Sequence, residues 1–151
     1  MKKTIVLIIS AFLILGLTGC AKGGKLVCTM NADEGKSTVE IEHAKDKVKT
    51  YKMITEMAIQ PETADLMGEV FSGMMESFNA VKGIDMSLVT SEDKTQMTMN
   101  MFVDYTKLDR LALKVLAETF GTGASYADIF NKDVSLSEAR KDLEESGYTC
   151  N

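Results

Sequence analysis

Hydrophobic spacing changes abruptly at Pro61, the only proline in the chain, and the change dictates both the elements on each side and their order. Before it, Thr38-Val39-Glu40-Ile41-Glu42-His43 alternates polar with apolar, the period of a strand with one face buried. From Val48 to Gln60 the alternation resumes, with Tyr51, Met53, Thr55, Met57 and Ile59 on one face and Lys52, Ile54, Glu56 and Ala58 on the other. Leu26 to Asn31 is rich in strand formers. The connections, "ADEGK" and Ala44 to Lys47, are short and polar, so the three strands form an antiparallel meander.

Beyond Pro61 the period lengthens. Proline suits the first helical turn, where its missing N–H costs nothing, and Glu62 and Asp65 suit the positive end of the dipole. Met67, Phe71, Met74, Phe78 and Val81 then draw one apolar stripe along a helix that stops at Gly83. Ile84, Met86 and Leu88 alternate through a fourth strand, Ser91-Glu92-Asp93-Lys94 turns the chain, and Met97, Met99, Met101, Val103 and Tyr105 mark a fifth. Helical spacing returns with Thr106 as N-cap and Leu108, Leu111, Ala112, Val115 and Leu116 on one face, until Gly121-Thr122-Gly123. Ser125 to Asn131 reads as one short turn carrying Tyr126, Ile129 and Phe130. A capping box, Ser135-x-x-Glu138, opens the last helix, whose buried edge is Leu136, Ala139 and Leu143 and whose stop is Gly147. The order βββαββ followed by helices predicts an α+β domain over 26–151: a five-stranded antiparallel sheet packed on helices.

The amino terminus has a different character. Lys2 and Lys3 precede an uncharged run from Ile5 to Leu17, then small Thr18 and Gly19, then Cys20. As a helix those 13 residues would reach about 20 Å, short of the roughly 30 Å of bilayer hydrocarbon, so the layout is that of a secretory signal rather than a span. Leu17-Thr18-Gly19-Cys20 resembles the lipobox of bacterial lipoproteins, which implies a diacylglyceryl group on the Cys20 sulfur and cleavage between Gly19 and Cys20. A thiol is the good nucleophile for that alkylation, and two small residues before it admit a protease to the backbone. Residues 1–19 are then the signal, and 20–25, with Gly23 and Gly24, a flexible tether.

Three cysteines in an exported chain leave one over, and lipidation of Cys20 accounts for it. Cys28 and Cys150 remain as the only pair, a clasp across 121 intervening residues, against the alternatives of two free thiols or a redox couple. The absence of Cys-x-x-Cys spacing weakens the redox alternative. Without Lys2 and Lys3 the chain carries 15 basic against 22 acidic side chains, a net charge of −7. Such a surface repels phosphate backbones and anionic lipid, so nucleic acid is not an expected partner.

"LVCTM" at the start of the domain, the meander with "HAKDKV", the strand ending "FVDYTKLD" and the closing "SLSEARKDLEESGYTC" together resemble the YehR-like family of small bacterial lipoproteins, over roughly Leu26 to Asn151. The resemblance implies a lipid-anchored α+β domain, and pairing of Cys28 with Cys150 fits the family's cysteine-bearing members. It brings no established activity or catalytic residues. The methionine-rich strand and the stretch Gly121 to Asn131 are particular to this chain.

Candidates for chemistry are few. Met97, Met99 and Met101 would lie about 6 to 7 Å apart on one strand face, where soft thioethers could receive Cu(I) or Ag(I). The same face needs a helical cover, and methionine is an adaptable core filler, so packing is the primary reading and no metal site is assigned. His43, the only histidine, falls at a strand end as an exposed side chain with no orienting partner. Ser91-x-x-Lys94 matches the Ser-x-x-Lys pattern in form, but that chemistry needs a helix start in a cleft, and the run reads as a hairpin turn. Glu144-Glu145 and Asp109 with Glu118 read as solvated helix surface, and Gly121-x-Gly123 lacks the lysine and strand of a phosphate loop. No catalytic residue and no cofactor is expected. The expected role is non-catalytic binding or an accessory function at the extracytoplasmic face of the cell membrane, with membrane lipid engaged through Cys20 and either an envelope protein or a small apolar ligand between sheet and helices as partner. Soft-metal handling and an uncharacterised envelope enzyme are the alternatives.

Overall fold

The computed structural model describes residues 23–32, 35–119 and 133–151. The signal, Gly19, Cys20 and the expected short turn from Ser125 to Asn131 lie outside the described residues. Within them the elements are β1 (Gly24–Ala32), β2 (Gly35–Ala44), β3 (Lys47–Ala58), α1 (Pro61–Asn79), β4 (Ile84–Thr90), β5 (Gln96–Asp104), α2 (Arg110–Thr119), α3 (Leu136–Glu145) and β6 (Thr149–Cys150).

The sheet has six strands in the order β4-β5-β3-β2-β1-β6, all antiparallel, and not the five that periodicity predicts. The sixth is two residues long, too short to show any alternation. It forms because Cys150 lies opposite Cys28 and is bonded to it, while Val27 and Asn151 exchange backbone bonds of 2.9 and 3.4 Å just beyond. β1 also begins two residues earlier than the tether reading allows. Gly24 pairs with His43 and Lys25 with Glu42, and the Lys25 ammonium sits 3.0 Å from Glu40, so both residues belong to the domain.

Register turns the alternating patterns into one apolar face. Cys28, Val39, Met53, Met101 and Met86 stand side by side across five strands, as do Leu26, Ile41, Tyr51, Val103 and Ile84 one step along. The helices cover this face and leave the other, with Lys52, Glu56 and Asp85, in solvent.

The edge at β4 is closed by a side chain. Asn79, the last residue of α1, donates from Nδ2 to the Met86 carbonyl at 2.9 Å and accepts the Met86 N–H at 2.6 Å, supplying what a neighbouring strand would supply. Gly83, with φ of +92°, makes the turn between α1 and β4, and a Cβ there would meet the Leu108 backbone at 2.7 Å. Its carbonyl accepts the Asp104 N–H at 2.7 Å, so this close approach fixes where α2 can begin.

α2 departs from expectation in its start and in part of its face: Leu108, Ala112 and Leu116 pack on the core as expected, but Leu111 and Val115 do not. Its N-cap is Asp109, whose Oδ1 accepts the Ala112 N–H at 3.0 Å, while Thr106 belongs to a turn that donates to Asp104. Leu113 and Ala117 are the buried positions, whereas Leu111 is 73 % and Val115 57 % exposed. Starting the helix at Arg110 directs Leu113, Ala112 and Leu116 onto the core cluster; leucine and valine occupy both faces, so spacing alone could not choose. α3 follows its capping signals. Ser135 Oγ accepts the Glu138 N–H at 3.1 Å and donates to its carboxylate at 2.9 Å, and Gly147, φ +93°, closes the helix with Tyr148 N–H bonded to Leu143 C=O at 3.0 Å.

Candidate functional site

Among the described residues two helical roofs cover the sheet, one over each half. α1 and α2 pack on β4 and β5 around Val81, Ile84, Met86, Val103 and Leu113. α3 packs on β1 and β2 around Leu26, Cys28, Val39, Ile41 and Val48. Tyr51 and Tyr105 touch both clusters, and the seam runs above β3. A groove of about 300 Å³ opens there, with Tyr51, Met53 and Met101 as its floor, Tyr105 at one side, Ala139 and Leu143 of α3 at the other, and Asp142 and Ser146 on the rim. That volume is at the small end for ligand pockets, and the lining is chiefly apolar, as such pockets are.

The tyrosines give the groove its polar points. Burial, with Tyr148 and Tyr105 close by, pushes the Tyr51 phenol far above its ordinary value, and its hydroxyl points to Met53 Sδ at 4.0 Å. Burial raises Tyr105 to about 12, against the opposing pull of the Arg110 charge. Both stay protonated at neutral pH, so they serve as neutral donors and not as bases or nucleophiles. Tyr148 donates to Ser37 Oγ at 2.8 Å, itself 3.3 Å from Thr55 Oγ1. Three of the chain's four tyrosines therefore converge on this half of the sheet.

A second cavity, of about 270 Å³, borders the first at Val48, Tyr105 and Val134. Its character is opposite, with Lys47, Lys49, Thr106, Arg110 and Asp133 in its lining. Lys47 Nζ lies 3.0 Å and Arg110 Nη2 3.1 Å from Asp133, and these two cations hold the Asp133 carboxyl below the ordinary carboxylate range.

The residues singled out by sequence fall elsewhere or play structural parts. Met97 is fully buried, and Met99 and Met101 pack into the α1/α2 cluster along the helix-facing side, with Met101 also reaching the groove. His43 is half-buried rather than exposed: its Nδ1 lies 2.8 Å from the Lys45 carbonyl and its ring stands over Gly24, away from both cavities. Ser91 closes a hairpin turn, donating to Asp93 at 2.6 Å, while Lys94 binds both Asp65 oxygens at 2.8 and 2.7 Å. Glu144 and Glu145 pair with Arg140 and Lys141 one turn earlier on α3. Cys28 and Cys150 form the disulfide. Among the described residues, no group of three or more His, Cys, Asp or Glu is arranged to hold a metal ion, and no helix is long and apolar enough to cross a membrane.

Fold and groove together define a small α+β domain built on a six-stranded antiparallel sheet, disulfide-clasped, with a ligand-sized apolar seam beside a basic cavity. The fold is YehR-like. The chain is similar to the NMR structure of the E. coli YehR protein, with a TM-score of 0.64 and 15 % identity over 87 % of this chain and 92 % of that one. It is also similar to the NMR structure of a Streptococcus pneumoniae TIGR4 protein, with a TM-score of 0.59 and 11 % identity over 89 % of this chain and 88 % of that one. No protein-family model and no curated protein matches the chain.

Proposed function

We propose that this chain is a lipoprotein of the YehR-like family, exported, cleaved between Gly19 and Cys20 and anchored through the Cys20 sulfur at the extracytoplasmic face of the cell membrane, where its domain binds a small apolar ligand without transforming it. The anchor rests on Lys2, Lys3, the apolar run and Leu17-Thr18-Gly19-Cys20, with the pairing of Cys28 and Cys150 leaving Cys20 as the odd thiol. Two acyl chains there bury enough methylenes, at about 0.8 kcal/mol each, for durable attachment. The observation that carries the binding role is the groove over β3, an apolar recess that the described residues leave between the two roofs. An envelope protein that delivers or receives the ligand is the natural second partner.

Intact mass spectrometry of the membrane-extracted protein, with and without reduction, reads signal removal, lipid mass and the disulfide together. Native mass spectrometry of the same material should show an additional small apolar species that Leu143→Trp, which fills the groove, excludes. Unlipidated, freely soluble protein would end the anchor reading. An occupancy identical in Leu143→Trp would end the groove reading.

A second reading is favoured by one feature: Met53, Met101 and Met86 stand opposite one another on three adjacent strands, bringing thioethers together across the sheet as well as along β5. Cu(I) or Ag(I) is the cation such donors suit. Silver titration followed by methionine methyl shifts tests it, and unmoved Met53, Met86, Met97, Met99 and Met101 signals would remove it.

A further inference from the structure

The two cavities differ in kind yet share a border. The groove is apolar, while among the described residues the neighbouring cavity is lined by the cations Lys47, Lys49 and Arg110 and by the carboxylate of Asp133. Lys49 is half-buried, its carbonyl accepts the Tyr105 N–H at 3.0 Å, and among the described residues its ammonium enters no ion pair. The far rim of the groove carries the opposite charge, in Asp142 of α3. An elongated guest is thus offered positive charge at one end, apolar wall along its length and negative charge at the other. Electrostatic complementarity of this sort fixes orientation.

Resting on the ligand-binding reading above, we propose that the guest is a single-chain amphiphile with an anionic head, its carboxylate or phosphate beside Lys47, Lys49 and Arg110 and its hydrocarbon over Tyr51, Met53 and Met101. A groove of about 300 Å³ suits one chain and not two. Tyr105 lines both cavities and so stands where head gives way to tail, offering its apolar ring to the first methylenes.

The test uses the full chain from membranes, held in phosphatidylcholine nanodiscs with its methionine methyls labelled with carbon-13. Dodecanoate, dodecyl phosphate, dodecanol and dodecyltrimethylammonium are titrated in turn. The expected result is movement of the Met53 and Met101 methyls with the two anions, little change at sealed Met97, and affinity rising about fourfold per methylene from octanoate to decanoate. Lys49→Gln should weaken dodecanoate about fivefold and leave dodecanol unchanged. Asp133→Asn should strengthen it, a gain that mere structural damage would not produce. If dodecanoate binds and dodecyl phosphate does not, or the reverse, the head is assigned to that anion and the proposal stands. If no amphiphile moves Met53 or Met101, the ligand-binding reading itself fails. If dodecanol or dodecyltrimethylammonium binds as tightly as dodecanoate, or Lys49→Gln has no effect, the groove stands and the anionic head is overturned.

Discussion

Removing the disulfide should cost more than any other small change to this molecule. Cys28 and Cys150 are 122 positions apart, so their bond closes nearly the whole domain into one loop. On the loop-entropy account this restricts the unfolded chain by about 4 to 5 kcal/mol, a large part of the 5 to 15 kcal/mol that holds an ordinary domain folded. The native state loses much less. Val27 and Asn151 still exchange their backbone bonds, and Tyr148 still reaches Ser37, so β6 keeps its place without the sulfurs. The perturbation is Cys28→Ala with Cys150→Ala, because Cys28 is 0 % exposed and a serine there would bury an unpaired hydroxyl. The assay is urea unfolding by circular dichroism on wild type, reduced wild type and the double variant. The unfolding free energy should fall by the stated amount in both modified forms, and the denaturant slope should steepen, since an unclasped chain exposes more surface. A fall below about 1 kcal/mol at unchanged slope would refute the claim that the clasp acts on the unfolded chain.

Gly83→Ala should destabilise by about 2 to 4 kcal/mol in the same urea assay, since φ is +92° there and the new methyl meets the Leu108 backbone at 2.7 Å; a variant as stable as wild type would show that the turn relaxes freely. Asn79→Ala should cost about 1 to 3 kcal/mol and speed hydrogen exchange at the Met86 amide, which loses its acceptor on the sheet edge; unchanged exchange would mean that Asn79 does not guard the edge. Asp104 is held below the usual carboxylate range by hydrogen bonds from Lys107 and Thr106. A depressed folded value stabilises above about pH 4, where the unfolded carboxylate has ionised, and that stabilisation is lost as pH falls through the lower folded value. Asp104→Asn should therefore flatten the decline of the urea midpoint toward acid, and an unaltered pH profile would contradict this.

Local order was written plainly in the chain. Alternation in β2, β3 and β5, the stripe behind Pro61, and the Ser135 and Gly147 signals around α3 each rest on neighbouring residues, and the α+β order follows from them. That Cys150 is pinned to the first strand was legible from the cysteine count, but β6 as a strand was not, because two residues show no alternation. The buried face of α2 was legible only in part: Leu108, Ala112 and Leu116 were placed correctly, but Leu111 and Val115 satisfy the helical period as well as buried Leu113 and Ala117 do. The candidate site was not legible: Tyr51 and Tyr105 stood out only as residues of apolar strand faces, and the basic neighbour joins Lys47 and Lys49 of β3 to Arg110 and Asp133, far along the chain. By itself, then, the sequence determined which segments are strands and helices and which faces must be covered, because periodicity is a local property. Only the tertiary structure decided that the cover comes in two parts with a seam above β3, because that depends on how far each roof extends, and no residue carries that distance alone.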